Sequence, residues 1–277
     1  MSLYISSLNS GSNGNCYYVG NGNEAVLIDA GLSCRETEKR MERLNLSMNK
    51  VKGIFISHEH ADHIRGISGL ASKYNLPVYA TQKTWKRCSF RLPQNLVIYL
   101  QPTITVCIGE LCITSFLKIH DASDPQSFTI SYNGTKVGVF TDIGAPCANL
   151  SYYFNQCHAA FLEANYDEVL LEKGRYPIHL KNRIRGGKGH LSNSEALSFY
   201  KIHKPAFMKY LILAHLSSEN NCPELVQQLF VPHAGGAEVI VASRYKETPI
   251  FTVKGEQKLS CLSPSFTTPQ SLQMSLF

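Results

Sequence analysis

The chain has no apolar run approaching membrane-spanning length, no basic-then-apolar-then-small pattern at its start, and no C-x-x-C pair among its nine cysteines. The first two absences argue against a membrane-spanning helix and a secretory leader, so a cytoplasmic protein with no membrane contact is expected. The third, with an odd number of scattered cysteines, argues against a thiolate metal site and a disulfide framework. Cys16, Cys107, Cys112 and Cys157 read as reduced, mostly small core residues. No internal repeat stands out, and no low-complexity linker divides the chain before its end. With 44% hydrophobic residues in 277, it can bury one large core. The expected organisation is a single α/β domain over residues 1–254, then a flexible Ser, Thr, Pro and Gln-rich tail over 255–277.

What the chain does have is concentrated chemistry. Ile54-Phe-Ile-Ser57 reads as a buried strand end, and His58, His60, Asp62 and His63 follow at once. Neutral imidazole and carboxylate suit zinc, manganese or iron, and the sequence does not choose among them. His58 and His60, two apart in an extended segment, point to one side. Asp62 and His63 come after the chain turns toward a helix expected over Ile64–Tyr74, and reach the same space from another direction. That arrangement suits two adjacent ions. Further chemistry recurs where strands end, at Asp29, His120, Asp142 and His215. Ligands gathered at strand ends fit a two-sheet sandwich with its site along the rim. Hairpins are expected over Thr103–Phe116 and Ser127–Thr141, the second around Asn133-Gly134. Ser33-Cys-Arg-Glu36 and Ser192-Asn-Ser-Glu195 match helix-starting capping boxes.

The spacing H-x-H-x-D-H resembles the signature of the metallo-β-lactamase superfamily. The resemblance extends over residues 1–225 through Ser10-Gly-Ser-Asn-Gly-Asn15, Leu27-Ile-Asp-Ala-Gly-Leu-Ser33, His120-Asp-Ala-Ser-Asp-Pro125, Thr141-Asp142, Gly174-Arg-Tyr-Pro177, Gly189-His-Leu-Ser-Asn193 and Ala214-His-Leu-Ser217. Within the superfamily these motifs are most similar to those of the bacterial WalJ/YycJ-type metallohydrolases. The resemblance implies an αββα sandwich of two mixed β-sheets flanked by helices, holding two divalent metal ions. It assigns His58, His60 and His120 to one ion, Asp62, His63 and His215 to the other, and Asp142 to both, with a hydroxide between them as nucleophile and Asp62 also counted as catalytic. Asp29 would orient the histidine loop rather than touch metal. His190 resembles the histidine that, in the superfamily's nucleic-acid phosphodiesterases, touches the scissile phosphate. Ser192 reads either as a helix cap or as a phosphate donor.

Glu172 to His190 carries Lys173, Arg175, Lys181, Arg183, Arg185 and Lys188, a run suited to holding phosphates that is also what a solvated face looks like. Lys83, Trp85, Lys86, Arg87 and Arg91 form a second basic cluster, around the only tryptophan. The net charge of +6 agrees weakly with an anionic partner. The tail ends with Gln273, Leu276 and Phe277, which resembles the peptides that dock on the replication sliding clamp. Together these point to a two-metal phosphodiesterase, expected to be a DNA exonuclease of repair or replication. An RNA-processing nuclease and a small-molecule hydrolase acting on a thioester, lactone or cyclic phosphate are the alternatives. The short span between Asp142 and His190 leaves little room for a large RNA-gripping insertion.

Overall fold

In the computed structural model, which describes residues 2–255, the strands form two seven-stranded sheets. The first sheet holds β1 (Leu3–Asn9), β2 (Cys16–Gly20), β3 (Ala25–Ile28), β4 (Val51–Phe55), β5 (Val78–Thr81) and β6 (Val97–Leu100). The second holds β7 (Thr105–Ile108), β8 (Leu111–Leu117), β9 (Gln126–Tyr132), β10 (Thr135–Phe140), β11 (Ala159–Glu163), β12 (Tyr210–Ala214) and β13 (Glu238–Val241). A last strand, β14 (Phe251–Val253), returns to pair antiparallel with β1. Each sheet begins as an antiparallel meander and continues with parallel strands, β3 to β6 in the first and β10 to β13 in the second. The tail residues Gln273, Leu276 and Phe277, and with them the clamp-docking expectation, lie outside the described residues.

Alternation of side chains builds three hydrophobic layers. Ile5, Val19, Ile28 and Phe55 from the first sheet meet Ile113, Phe128, Val139, Phe161 and Ile212 from the second, forming the layer between them. Leu27 and Ile54 face the other way, onto Met41, Ile67 and Leu70 of covering helices. Phe140 and Leu162 likewise face Phe199, Tyr200 and Phe230. The result is the αββα sandwich that the sequence leads one to expect, and its strands, buried on both faces, explain their continuous apolar runs. Among the described residues no helix is long and apolar enough to cross a membrane.

Local sequence accounts for the connections. Asn133 (φ 46°) and Gly134 (φ 77°) take the left-handed conformation required by the two-residue turn between β9 and β10. At the helix Asn193–His203 both halves of the capping box form: Ser192 Oγ accepts from Glu195 N, and Glu195 Oε2 accepts from Ser192 N. At Ser33 only one half forms, because the Glu36 carboxylate pairs with Arg40 Nε at 2.8 Å.

Two expectations are corrected. Cys107 and Cys112 are joined in a disulfide rather than reduced; the two-residue loop between β7 and β8 puts them directly opposite, Cα to Cα 4.2 Å. The helix expected over Ile64–Tyr74 starts at Ala61, and Arg65 and Gly66 separate Ala61–Ile64 from Ile67–Tyr74. Close packing causes the break: Gly66 N donates to Ala30 O at 2.8 Å, and a Cβ on Gly66 would lie 1.8 Å from Leu32 O. The basic stretch Glu172–His190 carries the short helix Ile178–Arg185 and follows on from another, Glu168–Lys173.

Candidate metal centre

Because β3 and β4 run parallel, as do β10 to β13, with β8 aligned to β10 across β9, the residues that follow these strands collect on one rim. There the side-chain ligand atoms of His58, His60 and His120 lie within 4.8 Å of one another, as do those of Asp62, His63 and His215. A third trio, His58, His63 and Asp142, joins the two groups. Asp142 Oδ2 is 3.3 Å from His63 Nε2, and its Oδ1 is 3.9 Å from His120 Nε2 and 3.6 Å from His215 Nδ1. The structure thus brings all seven expected ligands into one cluster, with Asp142 in the middle.

Three of the residues that shape this rim turn the chain in an unusual way. Asp29 (φ 60°), Asp142 (φ 54°) and His215 (φ 58°) all adopt the left-handed conformation just after a strand. Asp, Asn and His tolerate that conformation best among residues other than glycine, yet it still costs about 1–2 kcal/mol. The surrounding bonds hold it. Asp29 N donates to Phe55 O at 2.8 Å, and His215 N to Ser10 Oγ at 2.7 Å. Beside Asp142, the buried Lys118 ammonium donates to Thr141 O at 2.6 Å.

Each ring is oriented from behind. Asp29 accepts from Ser57 N, Ser57 Oγ and His63 Nδ1, all at 2.7 Å, and Ser57 Oγ also lies 2.9 Å from His58 Nδ1. His120 Nδ1 meets Gly189 O at 2.9 Å, and His215 Nδ1 meets Glu163 Oε1 at 2.9 Å. With Nδ1 engaged on these four histidines, Nε2 is left as the ligand atom. Gly31 is part of the same scaffold: a Cβ there would sit 1.7 Å from Asp62 O, so only glycine lets the histidine segment approach the turn after β3.

The donor set fits divalent ions. His120 Nε2, His215 Nε2 and Asp142 Oδ2 are shielded from solvent and lack a hydrogen-bond partner among the described residues. Such groups are costly to bury unless something else satisfies them. Charge says the same. Burial would raise the Asp142 carboxyl, but His215 and His63 outweigh it and hold it well below the usual carboxylate range. Burial would likewise raise Glu163, and His190 and then His215 bring it down to about 2. Burial lowers His58 and His60 and takes His120 to about 4, so these three imidazoles are neutral and fit to coordinate. For His215 burial is overcome by Asp142, Asp62 and Glu163, which raise it to about 10. His63 is driven well up in the same way, chiefly by Asp142, Asp62 and Asp29. The rim therefore carries ionised carboxylates that call for positive charge, and divalent cations supply it compactly.

His190 stands at the same rim. Its Nδ1 is 2.8 Å from Glu163 Oε1, and its ring centre is 5.4 Å from that of His120 and 5.2 Å from that of His215. Glu163 was not anticipated from sequence, although it closes an apolar strand as Asp29 does. It also accepts from Ile143 N at 2.6 Å, so one carboxylate fixes His190, His215 and the loop after Asp142. Asn15, Ser57 and Lys118 were also unforeseen; Asn15 Nδ2 lies 3.1 Å from both Asp62 Oδ2 and His63 Nε2. Ser192, left open as cap or phosphate donor, has its Oγ engaged by Glu195 N.

The basic stretch divides. Arg183 pairs with Asp121 at 2.5 Å and Arg185 with Glu172 at 2.7 Å, while Lys181 is buried against Glu172 O. Lys173, Arg175 and Lys188 are exposed and, among the described residues, have no acidic partner. Lys188 is the nearest in sequence to His190, and its backbone packs on the Asp142 loop at Gly144.

A model of the metallo-beta-lactamase superfamily matches residues 10–180. Exodeoxyribonuclease YycJ of Bacillus anthracis is 36% identical over 230 residues, 82% of this chain and 87% of its own. Exodeoxyribonuclease WalJ of Streptococcus pneumoniae is 32% identical over 244 residues, 86% of this chain and 91% of its own. Among solved structures, the metallo-beta-lactamase fold protein YhfI from Bacillus subtilis superposes with a TM-score of 0.70 at 17% identity, covering 91% of this chain and 99% of that one. The chain belongs to the metallo-beta-lactamase superfamily. Within that class it is a YycJ/WalJ-type protein, a metal-dependent hydrolase.

Proposed function

We propose that the protein is a two-metal phosphodiesterase that shortens DNA from an end, in repair or replication. The observation that carries this reading is the pairing of His190 with Glu163 beside the ligand cluster, in a chain that aligns over most of its length with relatives named exodeoxyribonucleases. His58, His60 and His120 would hold one ion, Asp62, His63 and His215 the other, with Asp142 shared. Two divalent ions there, zinc, manganese or iron, supply Lewis acidity to a phosphoryl group and lower the pKa of water.

The chain's own residues supply the rest. Glu163 accepts from His190 Nδ1, which fixes the ring and leaves Nε2 to donate to a phosphoryl oxygen or protonate the leaving one. Lys188, Lys173 and Arg175 offer unpaired positive charge for the strand, whereas Arg183 and Arg185 are already neutralised by Asp121 and Glu172. Asp62, which accepts from Asn15, would belong to the metal set and border the reacting phosphate.

Incubating the metal-loaded protein with end-labelled single-stranded DNA, duplex DNA and RNA, beside His190→Ala, tests the reading. Progressive shortening of DNA that the variant loses while retaining its metals is the expected result. Shortening of RNA alone would put the ribonuclease reading in its place. Intact nucleic acids at full metal occupancy, with hydrolysis of a small phosphodiester or thioester, would establish a small-molecule hydrolase instead.

A further inference from the structure

β13 runs parallel to β12, so its C-terminal end opens on the rim that holds His215. The next residues, Ser243-Arg244-Tyr245-Lys246, are bonded to the loop Ser10–Asn15. Ser10 N donates to Ser243 O at 3.2 Å, and Asn13 Nδ2 donates to Arg244 O at 2.8 Å. The same loop belongs to the metal centre, through Ser10 Oγ on His215 N and Asn15 Nδ2 on Asp62. The segment is therefore tied to the candidate site through a single layer of hydrogen bonds.

Backbone and side chain of Tyr245 have opposite characters. Its N–H donates to Ser243 Oγ at 3.0 Å, and its carbonyl accepts from Nη2 of the buried Arg40 at 3.1 Å. The ring, by contrast, is part of a residue that is 79% exposed, the most exposed large hydrophobic among the described residues. Arg244 and Lys246 flank it in sequence. Arg244 places its guanidinium 6.0 Å from the ring centre, Lys246 is exposed, and the exposed Arg65 reaches Asn13 O at 3.2 Å. Among the described residues the exposed Lys246 has no acidic partner, whereas Arg244 Nη1, which also lacks a hydrogen-bond partner, is shielded from solvent. The neighbouring carboxylate, Glu247, is neutralised by Arg43 at 2.7 and 2.8 Å. An aromatic face held out on an anchored backbone, next to an exposed lysine, offers what a stacked base and an adjoining phosphate require.

We propose that Tyr245 stacks a base of a single-stranded DNA end while Lys246 holds an adjoining phosphate, presenting the strand to the metal centre. This rests on the nuclease reading and adds the surface by which the strand is held. The test uses the full, metal-loaded chain and uncleavable phosphorothioate oligodeoxynucleotides, one carrying bases and one abasic, with binding followed by fluorescence anisotropy. Tyr245→Ala should bind the base-bearing strand about tenfold more weakly and the abasic strand as the parent does. Tyr245→Phe should restore binding, and the variants should keep the parent's thermal midpoint and metal content. Equal affinity of Tyr245→Ala and parent for the base-bearing strand would overturn the proposal, and so would an equal loss on the abasic strand. A parent that binds and shortens no DNA while hydrolysing a small diester would overturn the nuclease reading itself, which the parent's own assay shows separately.

Discussion

On the first sheet, four of the candidate ligands come from six consecutive residues after β4, and one carboxylate, Asp29, orients two of their rings through Ser57 and His63. On the second sheet, His120, Asp142 and His215 come from the ends of three different strands, with Glu163 from a fourth and His190 from a helix approach. The first half is local, and its geometry follows from one turn packed against Gly31. The second half exists only through the pairing of β8 to β13, and any slip between those strands would scatter it. The two halves nevertheless use one device. A buried carboxylate at a strand end, Asp29 in one and Glu163 in the other, accepts from the far nitrogen of a histidine. What differs is reach: Asp29 serves candidate metal ligands only, whereas Glu163 also holds His190.

The comparison can be broken most severely at Asp142, where the halves meet. Asp142→Asn removes the charge that His63 and His215 share and should lower metal retention by more than the ~10–100-fold typical of outer partners. Metal content after gel filtration, with activity followed in parallel, measures it; retention of two ions per chain would show that the halves bind independently. Next in size is the contrast between the two orienting carboxylates. Asp29→Asn and Glu163→Gln should each weaken metal binding by ~10–100-fold. At saturating metal only Glu163→Gln should remain slow, because it also releases His190. Titration with metal, followed by turnover at saturation, separates the two, and equal recovery would remove His190 from the chemistry.

The smallest effect concerns the helices behind the first half. Glu38, on the helix Cys34–Arg43, is lowered to about 2 by hydrogen bonds from Lys73, then Tyr74 and Cys34. Since the folded value lies below the unfolded one, this stabilisation is complete above the ordinary carboxylate pKa and is lost as pH falls toward 2. Glu38 is half-buried but its partner Lys73 is exposed, so solvent screening keeps the pair's worth to at most about 1 kcal/mol. Thermal midpoints of the parent and Glu38→Gln should differ slightly at neutral pH and converge in acid. A gap that persists at low pH would assign the loss to packing.

Legibility in the sequence followed the same division. The histidine segment could be read because its ligands are adjacent and stand after an apolar strand, so spacing alone implies convergence. Asp29, His120, Asp142 and His215 could be noticed as polar residues closing apolar runs, and family resemblance grouped them. Glu163 carried the same mark but passed as the last residue of Ala159-Ala-Phe-Leu-Glu163, because nothing nearby in sequence needs a carboxylate. The cations were misleading in the opposite way. Six in one stretch looked equivalent, yet Arg183 and Arg185 are paired and Lys181 is buried. The Cys107–Cys112 bond was hidden because a disulfide depends on strand register, which composition does not disclose.

By itself the sequence determined the nature of the donors, because side-chain chemistry is a local property, and its motifs carried the family resemblance that implies the αββα architecture. The tertiary structure decided which donors meet, that Glu163 links His190 to His215, and which cations remain free. These are matters of distance between residues far apart in the chain, and only the register of two packed sheets sets them.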